Sequence, residues 1–129
     1  MPEATHPNIA LLSQLDLQNL DACEGIFADN FVWHYFNPKL PDLEGDYRGV
    51  EGLKNFFNKV AEISNSSFQV SPIETRAVGD ELIVVHACDR LTLEGNTMEL
   101  DVVVVWRIVN GKIAEAWDIP SAYNLRTVK

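Results

Sequence analysis

The chain predicts an α+β domain in which helices cover one face of a strongly curved, mostly antiparallel sheet. Three observations carry that expectation. Residues 97–120 read as two long strands joined by Asn110-Gly111, the pair that best tolerates the positive φ angles of a type I′ hairpin. Four segments in succession, 68–78, 81–93, 97–109 and 112–118, are strand-like, with turns at Gly79-Asp80, Glu94-Gly95-Asn96 and Asn110-Gly111. Ahead of them Val50, Leu53, Phe56, Phe57, Val60 and Ile63 recur at helical spacing, which makes a face that must pack on a sheet.

In chain order, a short arm leads into a first helix with Pro7 in its opening turn and Ile9, Leu11, Leu12 and Leu15 as its apolar stripe. Asn19 is the expected N-cap of a second short helix over 20–28, with Leu20, Cys23, Ile26 and Phe27 inward. Residues 31–36, FVWHYF, are rich in strand formers, and Pro38 ends them because it cannot donate to a ladder. Residues 37–47 hold two prolines, a glycine and several charges, and are expected to be a loop forming a rim. Arg48-Gly49 opens the third helix. Val102 to Trp106 is apolar without a gap, which suits a strand covered on both faces; a homodimer through the outer face of the sheet would supply the second cover.

Composition narrows the class. The chain has 129 residues and is 47% hydrophobic, enough for one domain spanning 1–129 and too little for two. A net charge of −9 disfavours nucleic acid and anionic membrane surfaces, since Lys and Arg do not cluster. No apolar run approaches the ~18 residues of a membrane span, and the N-terminal residues lack a leader pattern, so a cytoplasmic protein is expected. Cys23 and Cys88 sit in apolar contexts typical of reduced thiols. The histidines never pair at short spacing and no CxxC occurs, so neither a metal nor another cofactor is expected.

The sequence IFADNFVWHYFNP, an acidic Gly-containing loop, YRGVEGLKNFF, VGDELIVV and RIVNGKIAEAWD together resemble the SnoaL-like branch of the nuclear transport factor 2-like superfamily, over essentially the whole chain. That resemblance implies a cone, the cystatin-like arrangement of a curved sheet wrapped on a long helix, with a deep apolar pocket and usually a dimer. It also implies chemistry. The triplet Leu100-Asp101-Val102 is similar to the one that supplies a protonated oxyanion donor in ketosteroid isomerases; the position of their general base falls on Tyr35, with His34 beside it. Tyr35-Phe36-Asn37 and Trp117 resemble parts of limonene epoxide hydrolase, where the water-activating carboxylate would be Asp118, Asp89 or Asp101. Ala116-Trp117-Asp118 resembles the end of polyketide cyclases of this type.

Asp118, Asp101, His34 and, through the resemblance, Tyr35 are the candidate acid–base groups; Asp118, Asp101 and His34 each have a bland alternative as a strand-end charge or a hydrogen-bonded structural side chain. Trp33, Asn37, Phe56, Val60, His86, Trp106 and Trp117 are the candidates for ligand contact. Trp33, Tyr35, Phe56, Val60 and Trp106 are expected to line one cavity. Alternation in the last strand sets Ala114, Ala116 and Asp118 on one face and Ile113, Glu115 and Trp117 on the other, so a hollow should lie below Asp118. The expected activity is cofactor-free acid–base chemistry of the isomerase, cyclase or lyase kind on a small hydrophobic molecule. Epoxide-hydrolase-like water activation and a non-catalytic binding or interaction domain are the alternatives.

Overall fold

The computed structural model describes residues 6–128, and the part of the expected N-terminal arm before His6 lies outside them. Helix α1, Pro7–Leu12, opens with Pro7 in its first turn, and the His6 imidazole accepts the Asn8 N–H at 3.1 Å. The expected second α-helix is instead a 3₁₀ segment, Leu20–Ile26, broken at Cys23. Its buried residues, Leu20, Cys23 and Ile26, are spaced by exactly three. That is the period of a 3₁₀ turn, whose side chains eclipse every third position. Strand β1, Phe27–Tyr35, therefore begins four residues earlier than the aromatic run alone suggests.

The loop expected over 37–47 hides a short strand. β2, Gly45–Arg48, runs antiparallel to β1 with Val32 opposite Arg48 and Tyr35 opposite Gly45. Helix α2, Gly49–Ser64, buries Leu53, Phe56, Val60 and Ser64 and ends at Asn65 in a left-handed conformation, φ 52°. Ile63, expected on its inner side, is 44% exposed. Ser64 takes the inward place, with its hydroxyl donating to the Val60 carbonyl at 2.8 Å.

Strands β3 (Gln69–Val78), β4 (Leu82–Leu93), β5 (Asn96–Val109) and β6 (Lys112–Pro120) form an antiparallel meander. Asn110 and Gly111 both take positive φ, 52° and 73°, as the I′ hairpin requires. The sheet order is β2-β1-β6-β5-β4-β3, with a terminal strand β7, Arg126–Thr127, added to β5. The pair β1–β6 is parallel, so the sheet is mixed, curved and unclosed with its helices on the inner side.

Two hydrogen-bonded rows cross the inner face. Trp33 stands opposite Ala116, which stands opposite Trp106, then Ile83. One step along come Tyr35, Asp118, Val104 and Val85. The indoles of Trp33 and Trp106 approach to 5.5 Å, with the small Ala116 between them in that row. The register also slips between Arg107–Glu115 and Ile108–Ile113, leaving Ala114 as the extra residue of a bulge. A bulge reverses the parity beyond it, and Ile113 is completely buried in the core where simple alternation places it outside.

Helix α2 comes close to β2 at Gly52, where an added Cβ would lie 2.9 Å from the Tyr47 carbonyl carbon. In an open helix Gly→Ala gains about 1 kcal/mol; here backbone must move to admit the methyl. Gly52→Ala is therefore expected to lower the midpoint of urea unfolding, and a raised midpoint would show that α2 and β2 part without cost.

Candidate functional site

Between the inner face of the sheet and the helices lies a cavity of about 850 Å³, walled by Trp33, Trp106, Val85, Val104 and Phe57 and by leucines of the N-terminal segment. A smaller chamber of about 260 Å³ lies beside it, walled by Tyr35, Asn37, Phe56, Leu43, Leu91 and Leu100. Val60, Phe68, Asp89 and Asp118 line both. The five residues expected around one cavity are thus divided: Trp33 and Trp106 face the large chamber, Tyr35 and Phe56 the small one, and Val60 both.

Parity places Asp118. Counting from the bulge, Ala116, Asp118 and Pro120 turn inward and are buried, while Trp117 and Ile119 turn out. The Asp118 Oδ1 is buried without a hydrogen-bond partner among the described residues. Burial in this apolar wall, and second the Asp89 carboxyl, raise its pKa well above the usual carboxylate range. Water stabilises the charged form and this site offers little of it.

Asp89 is the residue that sequence reasoning underweighted, treating it only as one of three carboxylates able to activate water. It follows Ile83, Val85 and Ala87 on the inward parity of β4, and an acid at the end of such an apolar row is the signal that identifies it. It is 9% exposed. Burial pushes its pKa up to about 7.

Tyr35 and Asn37 complete the polar set. The Asn37 side-chain amide donates to the Tyr35 hydroxyl at 2.9 Å, which leaves the phenolic proton free to donate elsewhere. Burial raises the Tyr35 pKa, the Asn37 hydrogen bond works against that rise, and Asp118 and Asp89 add to it. The tyrosine is therefore a neutral donor at physiological pH. The Asn37 Oδ1 accepts the Lys39 N–H at 2.9 Å, so its amide orientation is fixed. Trp33 presents a second orphan, a buried indole N–H without a partner among the described residues.

Four sequence candidates stand elsewhere. His34, on the opposite parity of β1 from Trp33 and Tyr35, is on the outer face, where its ring nitrogens meet Asp46 and Glu115 at 2.6 Å each. Burial lowers its pKa, but the two carboxylates outweigh burial and the net shift is upward. Trp117 stacks on His34 at 5.5 Å and receives the Arg107 guanidinium at 5.3 Å on the same outer face. Asp101 bonds His86 Nε2 at 2.9 Å and Arg126 Nη1 at 3.0 Å. Those bonds hold its carboxyl below the usual range, the reverse of a protonated oxyanion donor. The correction has one cause: Leu100 and Val102 take the inward parity of β5, and Asp101 between them must point out. His86, between Val85 and Ala87, points out likewise, its side chain 40% exposed.

Among the described residues no group of three or more His, Cys, Asp or Glu side chains is arranged to hold a metal ion. Cys23 and Cys88 are free thiols. What the inner constellation can do chemically is move protons. A neutral carboxylic acid donates, a neighbouring carboxyl poised near neutrality accepts, and apolar walls keep water from competing.

The profile of the SnoaL-like domain matches residues 10–116. Among curated proteins none matches the chain. Of solved structures, a nuclear transport factor 2-like protein from Burkholderia pseudomallei is 22% identical, with 92% of this chain and 94% of that one covered and a TM-score of 0.78. TerC, co-crystallised with polyporic acid, is 23% identical over 88% of this chain and 90% of its own, with a TM-score of 0.74. A cystatin-like protein from Xanthomonas campestris is 19% identical over 89% and 88%, with a TM-score of 0.72. At such identities the likeness shows the fold, and that fold is the α+β cone of a curved sheet on helices.

A buried acid costs stability wherever the unfolded chain would ionise it. Asp89 rises from 3.8 to about 7, so between those values the folded chain keeps a proton that the unfolded chain has lost, and stability falls as pH rises from about 4 to about 7, then levels. Asp89→Asn removes that loss. The variant is expected to exceed the native chain in urea-unfolding free energy at pH 8 by up to about 4 kcal/mol, at 1.36 kcal/mol per pH unit, with no difference near pH 4. Equal stabilities at pH 8 would place Asp89 in contact with water.

Proposed function

Because the chain belongs to the SnoaL-like domain family and holds two buried acids in an apolar cavity, we propose that it binds a small, mainly hydrophobic molecule and transforms it by cofactor-free acid–base chemistry. The observation that carries this reading is the Asp89–Asp118 pair. Both carboxyls are buried, and no cation pairs with either among the described residues. Carboxyls kept at such cost and facing a cavity are characteristic of working sites. In this reading Asp89, ionised at neutral pH in about half of the molecules, takes a proton from the bound molecule. Asp118 and the Tyr35 hydroxyl donate to the oxygen on which charge develops. An enolisable carbonyl compound undergoing isomerisation, cyclisation or elimination has both needs at once.

A second reading is favoured by the Tyr35–Asn37 hydrogen bond, which puts two orienting polar groups in the same small chamber as the acids. There they would hold a water that gives its proton to Asp89 as it attacks an epoxide carbon, while Asp118 protonates the opening oxygen. Free thiols and the absence, among the described residues, of a helix long and apolar enough to cross a membrane fit a cytoplasmic setting. The outer face of the sheet exposes Phe36, Val103 and Ile119 beside Trp117, which fits a homodimer formed through it.

Small molecules released from the purified protein and identified by mass spectrometry supply the substrate for the decisive assay. Turnover by the native chain, with kcat reduced at least a hundredfold in Asp118→Asn and in Asp89→Asn and the circular dichroism spectrum retained, is the expected result. Binding without turnover would make the protein a carrier, and unchanged turnover in both variants would remove the acids from the mechanism. Sedimentation velocity at micromolar concentration is expected to give a dimer that Val103→Glu with Ile119→Glu dissociates; a native monomer would refute the outer-face interface.

A further inference from the structure

Resting on the reading of this cavity as a site for a mainly hydrophobic molecule, we infer that the occupant of the large chamber is a neutral amphiphile, an apolar body carrying an uncharged, hydroxyl-rich end that stays at the opening. The first ground is how the wall sorts with depth. Its buried members are aliphatic or aromatic, among them Val60, Val102 and Trp106, apart from the two acids Asp89 and Asp118. Its exposed members are polar apart from Val70 and Pro72. Ser13 and Gln18 come from the segment after α1, Asn58 and Ser66 from α2 and the turn that follows it, and Gln69 and Thr75 from β3. Three separate parts of the chain thus meet at one opening, and each brings amide or hydroxyl groups to it. The smaller chamber shows that this surface does not give every cavity a polar opening: its exposed wall residues are Lys39, Ile63 and Leu125, two of them hydrocarbon.

The kind of polarity is the second ground. Side-chain amides and hydroxyls each donate and accept hydrogen bonds, as the hydroxyls of a sugar or polyol do, whereas an anionic group only accepts. Among the described residues no Lys or Arg lines the large chamber. The charged residue at its opening is Asp16, whose Oδ1 accepts the Gln18 N–H at 3.0 Å. With Asp89 and Asp118 deeper in the wall, an anionic end would meet a carboxyl group at either level and find no cation. An apolar body on the buried part of the wall leaves water, while a hydroxyl-rich end at the opening keeps hydrogen bonds that it would lose by going deeper.

Three probes that share a naphthalene body and differ at one end test this: 2-naphthyl β-D-glucopyranoside, 2-methoxynaphthalene and 2-naphthyl sulfate. Equilibrium dialysis at low ionic strength, where charge is least screened, reads the binding of each. The glucoside is expected to bind the native chain at least fivefold more tightly than the ether, and the sulfate at least tenfold more weakly than the glucoside. Asn58→Leu combined with Gln69→Leu, both at exposed positions, should remove the advantage of the glucoside and leave the ether unweakened. Val85→Phe, which narrows the apolar part of the chamber, should weaken glucoside and ether alike by tenfold or more. Circular dichroism checks the fold of each variant. Suppose the ether binds the native chain and Val85→Phe weakens it. If the glucoside then gains nothing over the ether, the double substitution keeps the gain, or the sulfate binds as well as the glucoside, the amphiphile inference falls while the apolar-site reading stands. If neither glucoside nor ether binds, or Val85→Phe changes neither, both fall.

Discussion

Everything functional in this protein depends on strand parity. Side chains of a strand alternate between the two faces of its sheet, and hydrogen-bonded register carries that alternation from strand to strand. Once Trp33, Ala116, Trp106 and Ile83 are in one row, the contents of the next inward row are determined. Tyr35 and Asp118 enter the cavity together, and Asp89 follows on β4. Their even-numbered and odd-numbered neighbours, His34, Trp117 and His86, are sent to the other side by the same rule. A single-residue slip would exchange the two sets, replacing buried acids on a cavity wall by histidines that the present register pairs with carboxylates.

That rule also explains which parts of the molecule were legible in the sequence. The hairpin at Asn110-Gly111 and the long amphipathic helix announce themselves through turn chemistry and a period near 3.6. Alternation alone groups Trp33 with Tyr35 and Ala116 with Asp118, while the packing of the sheet against the helices decides that this face looks inward. Ile113 was misplaced because a bulge at Ala114 leaves no mark in the apolar pattern. β2 was hidden because a four-residue edge strand with exposed side chains reads as loop. Asp101 was misjudged because the triplet around it drew attention to motif rather than to the apolar residues on either side, whose burial forces it outward. Asp89 was present in the same alternation, at the end of Ile83, Val85 and Ala87, but with the exposed Arg90 next to it an acid there is easily taken for the start of a polar strand end.

The two faces use titratable groups in opposite ways. On the outer face each histidine is matched by carboxylates, His34 by Asp46 and Glu115, His86 by Asp101, and the charges satisfy one another. On the inner face the two acids lie near each other in a mainly apolar wall, and no cation pairs with either among the described residues. The first arrangement is what a surface does with charge, since such pairs contribute little and cost little. The second is maintained against the chain's own stability.

The parallel pairing of β1 with β6 has a consequence for how the molecule is made. Tyr35 and Asp118 are partners more than eighty positions apart, whereas β3 to β6 are joined to their neighbours by short turns. Loop closure over such a span is entropically expensive, and contacts of that separation slow folding. During synthesis β1 can pair with β2, which follows it closely in the chain, but its other edge stays open until β6 has emerged, and an open aromatic edge invites association with other chains. The meander can assemble through its own short turns and then receive the β1–β2 pair, so the step that joins β1 to β6 is also the step that brings the phenol beside the acid. A chain in which β1 has not docked then has the meander but lacks the row that sets Tyr35 beside Asp118.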